Sequence, residues 1–139
     1  MSYSKRIQPS EIKDKVTAIS VTFAEDFGTY LGTDDYETTV DRNGKPKSNK
    51  IPKLTTSQLR KFFGEVKRQQ MVGYNQTDFI LLKPKLAYAV GRADKDSKIR
   101  DFYEVLAPAI DLVSNETEFR NFIKIFEAIV AYHKVAESR

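Results

Sequence analysis

The sequence predicts an all-α fold: a single compact bundle of about five helices. Apolar residues recur at intervals of three and four along most of the chain, which is the period of an amphipathic helix. Hydrophobic residues make up 40% of the 139 residues and aromatic residues 12%, enough to build a core. Strand-like character is confined to a few β-prone residues near 36–40. We therefore expect one helical domain over residues 1–139.

The first helix is predicted over residues 10–31. Its apolar residues follow helical spacing, Ser10 can cap its start, and Gly28 and Gly32 mark its end. The periodicity then fails over residues 33–53, where Asn-Gly and Pro supply turn chemistry. We expect a basic, mobile loop there, either a solvated connection or part of a binding surface. Its basic residues are Arg42, Lys45, Lys47, Lys50 and Lys53.

The clearest helix start in the sequence lies at Thr55. Gln58 follows at the third position, which is the pattern of a capping box, and leucines flank the cap as a hydrophobic staple. The helix is predicted to run to about residue 72, with basic residues opposite its apolar stripe. Gly64 interrupts the polar side and costs about 1 kcal/mol against alanine. Its missing side chain indicates close approach of a neighbouring helix or of a sugar-phosphate backbone.

Three further helical stretches complete the predicted bundle. Residues 77–92 are divided near Pro84, because proline fits the first turn of a helix and breaks its interior. Ser97 is predicted to cap the next long helix, and a last helix is predicted from about residue 116 to residue 136. No internal repeat is present in the sequence.

Composition excludes several classes of protein. The chain has no cysteine, which excludes a disulfide scaffold and any thiolate metal site. The N-terminal residues lead into no apolar segment, and no stretch approaches the roughly 18 apolar residues of a membrane span. We therefore expect a cytoplasmic protein that does not contact a membrane.

Sequence motifs for catalysis are missing. His133 is the one histidine, near the end of the last helix, where a cation is favourable on electrostatic grounds alone. A structural or merely exposed role is therefore expected for it. The sequence has no Gly-x-Ser-x-Gly elbow and no glycine-rich phosphate-binding motif. We predict no enzymatic activity, no catalytic residues, no cofactor and no metal site.

The charge of the chain is strongly segregated. Residues 41–100 hold fifteen Lys and Arg against five Asp and Glu, a local net charge of +10. Residues 1–40 and 101–139 each hold four basic and seven acidic groups, a net charge of −3 apiece, so the total is +4. A basic block between acidic ends favours one cationic surface that faces a polyanion.

The candidate binding residues lie on the predicted helices of this basic block. Cations on such a face follow a phosphate backbone, and an aromatic residue among them stacks or forms hydrogen bonds. The alternative is that these charges are merely the solvated side of each helix. Membrane binding is a weaker rival, because no apolar face accompanies the basic one. The candidates are Lys53, Arg60, Lys67, Arg68, Lys85, Tyr88 and Arg92.

Three segments resemble a known family when taken together. They read LTTSQLRKFF at 54–63, KPKLAYAVGR at 83–92 and FEAIVAYHK at 126–134. In this order and spacing they are similar to the small subunit of type III-A CRISPR–Cas effector complexes, the Csm complexes. The resemblance covers about residues 54–135.

The resemblance implies an all-helical protein without an active site of its own. Several copies would stack in the complex beside the backbone subunits, near the large subunit, and contact guide RNA and target RNA. By position in the matching segments, Arg60, Lys85 and Arg92 are the RNA-facing residues it implies. Lys53, Lys67, Arg68 and Tyr88 rest on the charge and aromatic pattern alone.

Two functions follow as hypotheses. The first is a non-catalytic RNA-binding subunit of a type III-A CRISPR ribonucleoprotein, which contacts RNA independently of sequence and supports target-RNA retention in antiviral defence. The second is a helical protein–protein adaptor whose basic face binds an acidic protein partner. The salt dependence of RNA binding separates them, because phosphate contacts release counterions.

Overall fold

The computed structural model describes residues 3–139, which form seven helices and one two-stranded sheet. The prediction of an all-α fold with about five helices is therefore wrong: the protein is mostly helical, but it includes a β-hairpin. In chain order the elements are α1 Pro9–Lys13, α2 Ala18–Leu31, β1 Asp35–Val40, β2 Pro46–Ile51, α3 Thr56–Val72, α4 Gln76–Ile80, α5 Leu82–Arg92, α6 Ile99–Leu112 and α7 Glu116–Glu137.

The hairpin occupies the segment 33–53 that was predicted to be a basic loop. β1 and β2 pair antiparallel, from Asp35 opposite Ile51 to Val40 opposite Pro46. Every residue of β1 after its first is exposed, and β2 buries a residue only at its end. The ribbon therefore has no buried face, and without one its sequence lacks the apolar–polar alternation that identifies most antiparallel strands.

The predicted helix over residues 10–31 is two helices in the structure. α1 ends at Lys13, with Asp14 as its C-cap, and α2 begins at Ala18. Asn121 of α7 donates through Nδ2 to the carbonyl oxygens of Ile12 (2.9 Å) and Asp14 (3.2 Å). A distant side chain thus satisfies carbonyl groups that the break would leave unpaired. The predicted cap, Ser10, lies inside α1.

The helix starts after Thr55 and at Glu116 agree closely with the prediction, but the predicted cap Ser97 is wrong, because the N-cap of α6 is Lys98. Thr55 Oγ1 accepts from the backbone N–H of Gln58 at 3.1 Å, and the Gln58 side chain accepts from the Thr55 N–H at 2.9 Å, which completes the capping box. Pro84 lies in the first turn of α5, where its missing N–H costs nothing. α7 begins at Glu116 under an Asn115 cap.

The core sits between α3, α6 and α7, where aromatic rings meet. Phe126 of α7 is fully buried, with ring centroids 5.8 Å from Phe62, 6.2 Å from Phe102 and 6.1 Å from Phe122. Five apolar residues that follow helical spacing in α6 and at its C-cap are also buried: Ile99, Phe102, Leu106, Ile110 and Val113. No helix within residues 3–139 combines the length and apolar composition needed to cross a membrane.

Two glycines let α2 lie directly against α7. A Cβ atom on Gly28 would stand 2.6 Å from the carbonyl oxygen of Ile129, and one on Gly32 would stand 2.7 Å from that of His133. Both distances are shorter than van der Waals contact, so the two backbones approach more closely than any larger residue allows. Both glycines were predicted to end the helix: Gly32 does so as the C-cap of α2, whereas Gly28 lies within the helix.

We expect Gly28→Ala to lower the free energy of unfolding by about 1–3 kcal/mol, because the added methyl group meets backbone that cannot move aside cheaply. The matched control is Gly64→Ala, also in a helix interior, where an added Cβ has nothing within 4 Å. That substitution should raise stability by about 0.5–1 kcal/mol through helix propensity. Urea denaturation followed by circular dichroism compares the two. Equal effects would show that the α2–α7 contact tolerates a side chain.

A buried lysine anchors the hairpin to the bundle. Lys98 is 0% exposed. Its Nζ donates to the carbonyl oxygens of Tyr30 (2.7 Å) and Thr33 (2.6 Å) and to Asp35 Oδ2 (2.7 Å). Its backbone N–H donates to the Pro52 carbonyl oxygen at 3.0 Å. The start of α6 therefore holds the chain just before β1 and just after β2.

Candidate nucleic-acid interface

The predicted binding residues do not share one face in the structure. α3 lies between α5 on one side and α7 on the other, and the candidates divide between these two sides. Lys85, Tyr88 and Arg92 lie along a groove between α3 and α5. Arg60 lines a shallower groove between α3 and α7.

The α3–α5 groove encloses about 590 Å³ and combines an apolar floor with a cationic rim. Phe62, Leu86 and Phe102 contribute buried rings and methyl groups to the floor. The exposed rim is formed by side chains from both helices. They are Lys61 from α3 and Lys85, Tyr88 and Arg92 from α5.

Tyr88 and Arg92 form one unit on the rim. They are one helical turn apart on α5, and the guanidinium carbon of Arg92 lies 5.7 Å from the centre of the Tyr88 ring, within cation–π range. The Tyr88 side chain is 67% exposed. The pair therefore presents an aromatic face next to a positive charge at the mouth of the groove.

Glu65 of α3 organises the remaining charges at the groove. Its carboxylate accepts from Arg68 Nη2 at 2.8 Å and from Lys85 Nζ at 3.2 Å. The Arg68 hydrogen bond is the largest cause that lowers the pKa of Glu65, to about 2, so this group is ionised at neutral pH. Two of the candidate cations therefore already share one carboxylate.

Lys61 and Arg92 are different, since no carboxylate within residues 3–139 lies within 4 Å of either. Lys61 is one of the basic residues that helical spacing placed opposite the apolar stripe of α3, but it was not included among the candidate residues. Only the geometry identifies Lys61 as a candidate, because it lines the same groove as Lys85 and Arg92. That groove is formed by the packing of α5 beside α3, which the sequence does not show.

The candidates facing α7 are held by acidic residues. Lys67 Nζ lies 3.2 Å from Glu127 Oε2, and Lys53 Nζ lies 3.9 Å from Glu137 Oε2. These pairs are partly exposed, so each contributes about 0–1 kcal/mol and can open for another anion. Arg60 is exposed beside them. Together, Lys53, Arg60 and Lys67 form a second cationic strip. Two of its three cations are paired with a carboxylate, whereas in the α3–α5 groove only Lys85 of the three rim cations is paired.

His133 has the structural role that was expected for it. Its side chain is 2% exposed, and Nε2 donates to the Leu54 carbonyl oxygen at 2.6 Å, which ties α7 to the residue before the Thr55 cap. Glu137 Oε2 lies 3.8 Å from the same nitrogen. Within the part of the chain that the structure describes, no group of three His, Asp or Glu side chains is placed to hold a metal ion.

Comparison with known proteins agrees with the resemblance of the three segments. The family model Csm2 Type III-A matches residues 33–139. The match therefore begins earlier than the resemblance did, and it takes in the hairpin as well as α3 to α7. No curated protein and no solved structure matches the chain. The chain belongs to the Csm2 family, the small subunits of type III-A Csm complexes.

Proposed function

We propose that this protein is a non-catalytic RNA-binding subunit of a type III-A CRISPR ribonucleoprotein. It contacts the backbone of guide and target RNA independently of sequence and supports retention of target RNA in antiviral defence. The observation that carries the proposal is the α3–α5 groove, where the Tyr88–Arg92 pair and the uncompensated Lys61 stand over an apolar floor.

The chemistry of this groove suits a single strand of RNA. Phosphates are attracted by the rim cations, and a base can stack on Tyr88 because every base has an aromatic face. Recognition of this kind tolerates any sequence, so the guide would supply specificity by base pairing. Lys85, Tyr88 and Arg92 are proposed as the primary contacts. Lys53, Arg60, Lys67 and Arg68 are proposed as secondary contacts, since none of them lines this groove.

The ionisable groups support a binding role over a catalytic one. His133 is buried and its Nε2 is engaged with a backbone carbonyl oxygen. Glu65, the acidic residue of the groove, has a pKa of about 2 and is paired with two cations. A general acid or base for neutral pH needs a pKa much closer to 7. In the complex, the proposed protein partners are the backbone and large subunits and neighbouring copies of this chain.

Neutralising the groove should weaken RNA binding and its salt dependence. In the variant Lys61→Gln, Lys85→Gln, Arg92→Gln, three phosphate contacts are lost, so the slope of log affinity against log salt should fall by about 2, at about 0.7 per contact. Affinity should drop alike for unrelated single-stranded RNAs. Filter binding or fluorescence anisotropy over a salt series measures both quantities.

The matched control carries the same change of charge elsewhere. Lys15, Arg120 and Lys124 are exposed and line neither groove, so their replacement by glutamine should leave the slope within error of the unmodified protein. If the groove variant behaves like this control, the groove does not bind RNA. In that case the adaptor hypothesis, with an acidic protein on the basic face, becomes the better explanation.

A further inference from the structure

The β-hairpin of residues 35–51 carries basic residues that are not part of the proposed α3–α5 groove. Two acidic residues at the base of the hairpin are engaged near the bundle, while Glu37 is exposed further along β1. Asp35 accepts from the buried Lys98, and Asp34, just before β1, lies 3.4 Å from Lys50 and accepts from the Lys53 N–H at 2.9 Å. The base of the hairpin is therefore close to neutral and firmly attached.

The outer end of the hairpin is held in one conformation by its own turn. Asp41 Oδ1 accepts from the N–H groups of Asn43 (2.8 Å) and Lys45 (2.9 Å). Gly44 has φ +77°, a left-handed conformation that favours glycine. From this turn, β1 and β2 are paired without a break as far as Asp35. Because the turn is ordered in advance, little conformational entropy remains to be lost when a ligand binds it.

Three cations project from this end, which we call the hairpin tip: Arg42, Lys45 and Lys47. All three are exposed, and within residues 3–139 none lies within 4 Å of a carboxylate oxygen. Arg42 and Lys45 belong to the turn, and Lys47 lies two residues further along β2. Asp41, the nearby acid, directs an oxygen to backbone N–H groups. Three cations and one acid therefore leave the tip with a net charge of +2.

The chemistry of the tip favours phosphate over a protein surface. Specific protein interfaces are anchored by buried aromatic and apolar side chains, whereas the turn itself offers charged and amide groups around a glycine. Phosphate contacts need cations alone. Lower on the ribbon, Tyr36 is 66% exposed opposite Lys50. An exposed tyrosine beside a lysine gives a base a surface on which to stack.

We propose that the hairpin is a second RNA-binding element, in which Arg42, Lys45 and Lys47 hold the phosphodiester backbone of an RNA strand. It rests on the proposed function, because it assumes that RNA is the ligand of this protein, but it uses a different part of the molecule. The hairpin and the α3–α5 groove then contact RNA at separate points, so each should add its own share to affinity and to salt dependence.

The test compares three full-length variants with equal changes of charge. The hairpin variant is Arg42→Gln, Lys45→Gln, Lys47→Gln; the groove variant and the Lys15, Arg120 and Lys124 control are those described above. Each is titrated with a uridine-only RNA strand and with an RNA duplex of equal length, over a salt series. Relative to the control, the hairpin variant should lose about 2 from the slope on single strands if all three contacts form. A loss on the duplex instead would identify paired RNA as the source of the phosphates.

The outcomes separate this inference from the proposed function. If the groove variant loses slope and the hairpin variant does not on either RNA, the inference is overturned and the proposed function stands. If the hairpin variant alone loses slope, the inference stands and the groove is excluded. If neither variant loses slope, the inference and the proposed function are both overturned. A hairpin variant that binds both RNAs normally, yet fails to assemble with the other Csm subunits, would assign the tip to an acidic protein partner and also overturn the inference.

Discussion

Replacement of Phe126 by alanine is expected to lower the free energy of unfolding by about 3–5 kcal/mol, because the substitution leaves a cavity where three helices meet. The ring is 0% exposed and contacts Phe62 from α3, Phe102 from α6 and Phe122 from its own helix. Domains are typically stable by 5–15 kcal/mol. The loss is therefore large enough to leave a substantial unfolded fraction in mild denaturant.

The control for this prediction is Tyr88→Ala, which also removes an aromatic ring from a helix. Because Tyr88 is 67% exposed, its loss should change stability by no more than about 0.5 kcal/mol. Urea titration of both variants by circular dichroism gives the difference. Similar midpoints for the two variants would mean that the Phe126 site collapses around the smaller side chain, and that the core is less tightly packed than its ring contacts indicate.

Replacement of Lys98 by methionine is expected to cost a comparable amount, about 3–5 kcal/mol, for an electrostatic reason. Methionine keeps most of the apolar stem but removes the ammonium group. The carbonyl oxygens of Tyr30 and Thr33 then lose a buried donor, and Asp35 loses its ion pair. Since the same group fixes the base of the hairpin, hydrogen exchange in β1 and β2 should accelerate more than exchange in α7.

Lys95→Met provides the comparison for Lys98→Met. Lys95 is exposed three residues earlier in the chain, so the same chemical change should be close to neutral there. Equal stability of the two variants would show that Lys98 contributes no net stability once its desolvation is counted. Uniform exchange throughout the protein would show that the hairpin does not depend on this anchor.

The elements that the sequence predicted well are those determined by neighbouring residues. The capping box at Thr55 and Gln58, and the proline in the first turn of α5, specify helix starts through contacts within four positions. The break between α1 and α2 could not be foreseen in this way. It is stabilised by Asn121, whose partner Ile12 lies 109 positions away.

The hairpin was missed for a different reason. Its strands bury almost nothing, so hydrophobic alternation is weak, and its basic residues made the segment look like a solvated loop. The usable signal was the sequence Asp41-Arg42-Asn43-Gly44, a turn with a glycine at the left-handed position, between stretches that contain β-branched residues.

The candidate site was predicted in its residue types but not in its arrangement. Helical period placed cations on the outer sides of α3 and α5, where the structure has them. It gave no information on which acids compensate them, because Lys67 and Glu127 are 60 positions apart. Nor did it show that Arg60 lies on the α7 side of α3 while Arg92 lies in the groove on the α5 side. Both facts depend on how the helices pack.

The glycine-lined contact between α2 and α7 also bears on how the protein is made. α2 is synthesised early, yet the surface that its glycines contact belongs to α7, which is synthesised after α3 to α6. Domains near an N-terminus generally fold first during translation. Here, however, the glycine face of α2 has no partner until α7 has been synthesised. The nascent chain must therefore present that face to chaperones and proteases while α3 to α6 are made, and the α2–α7 contact can form only once α7 has emerged.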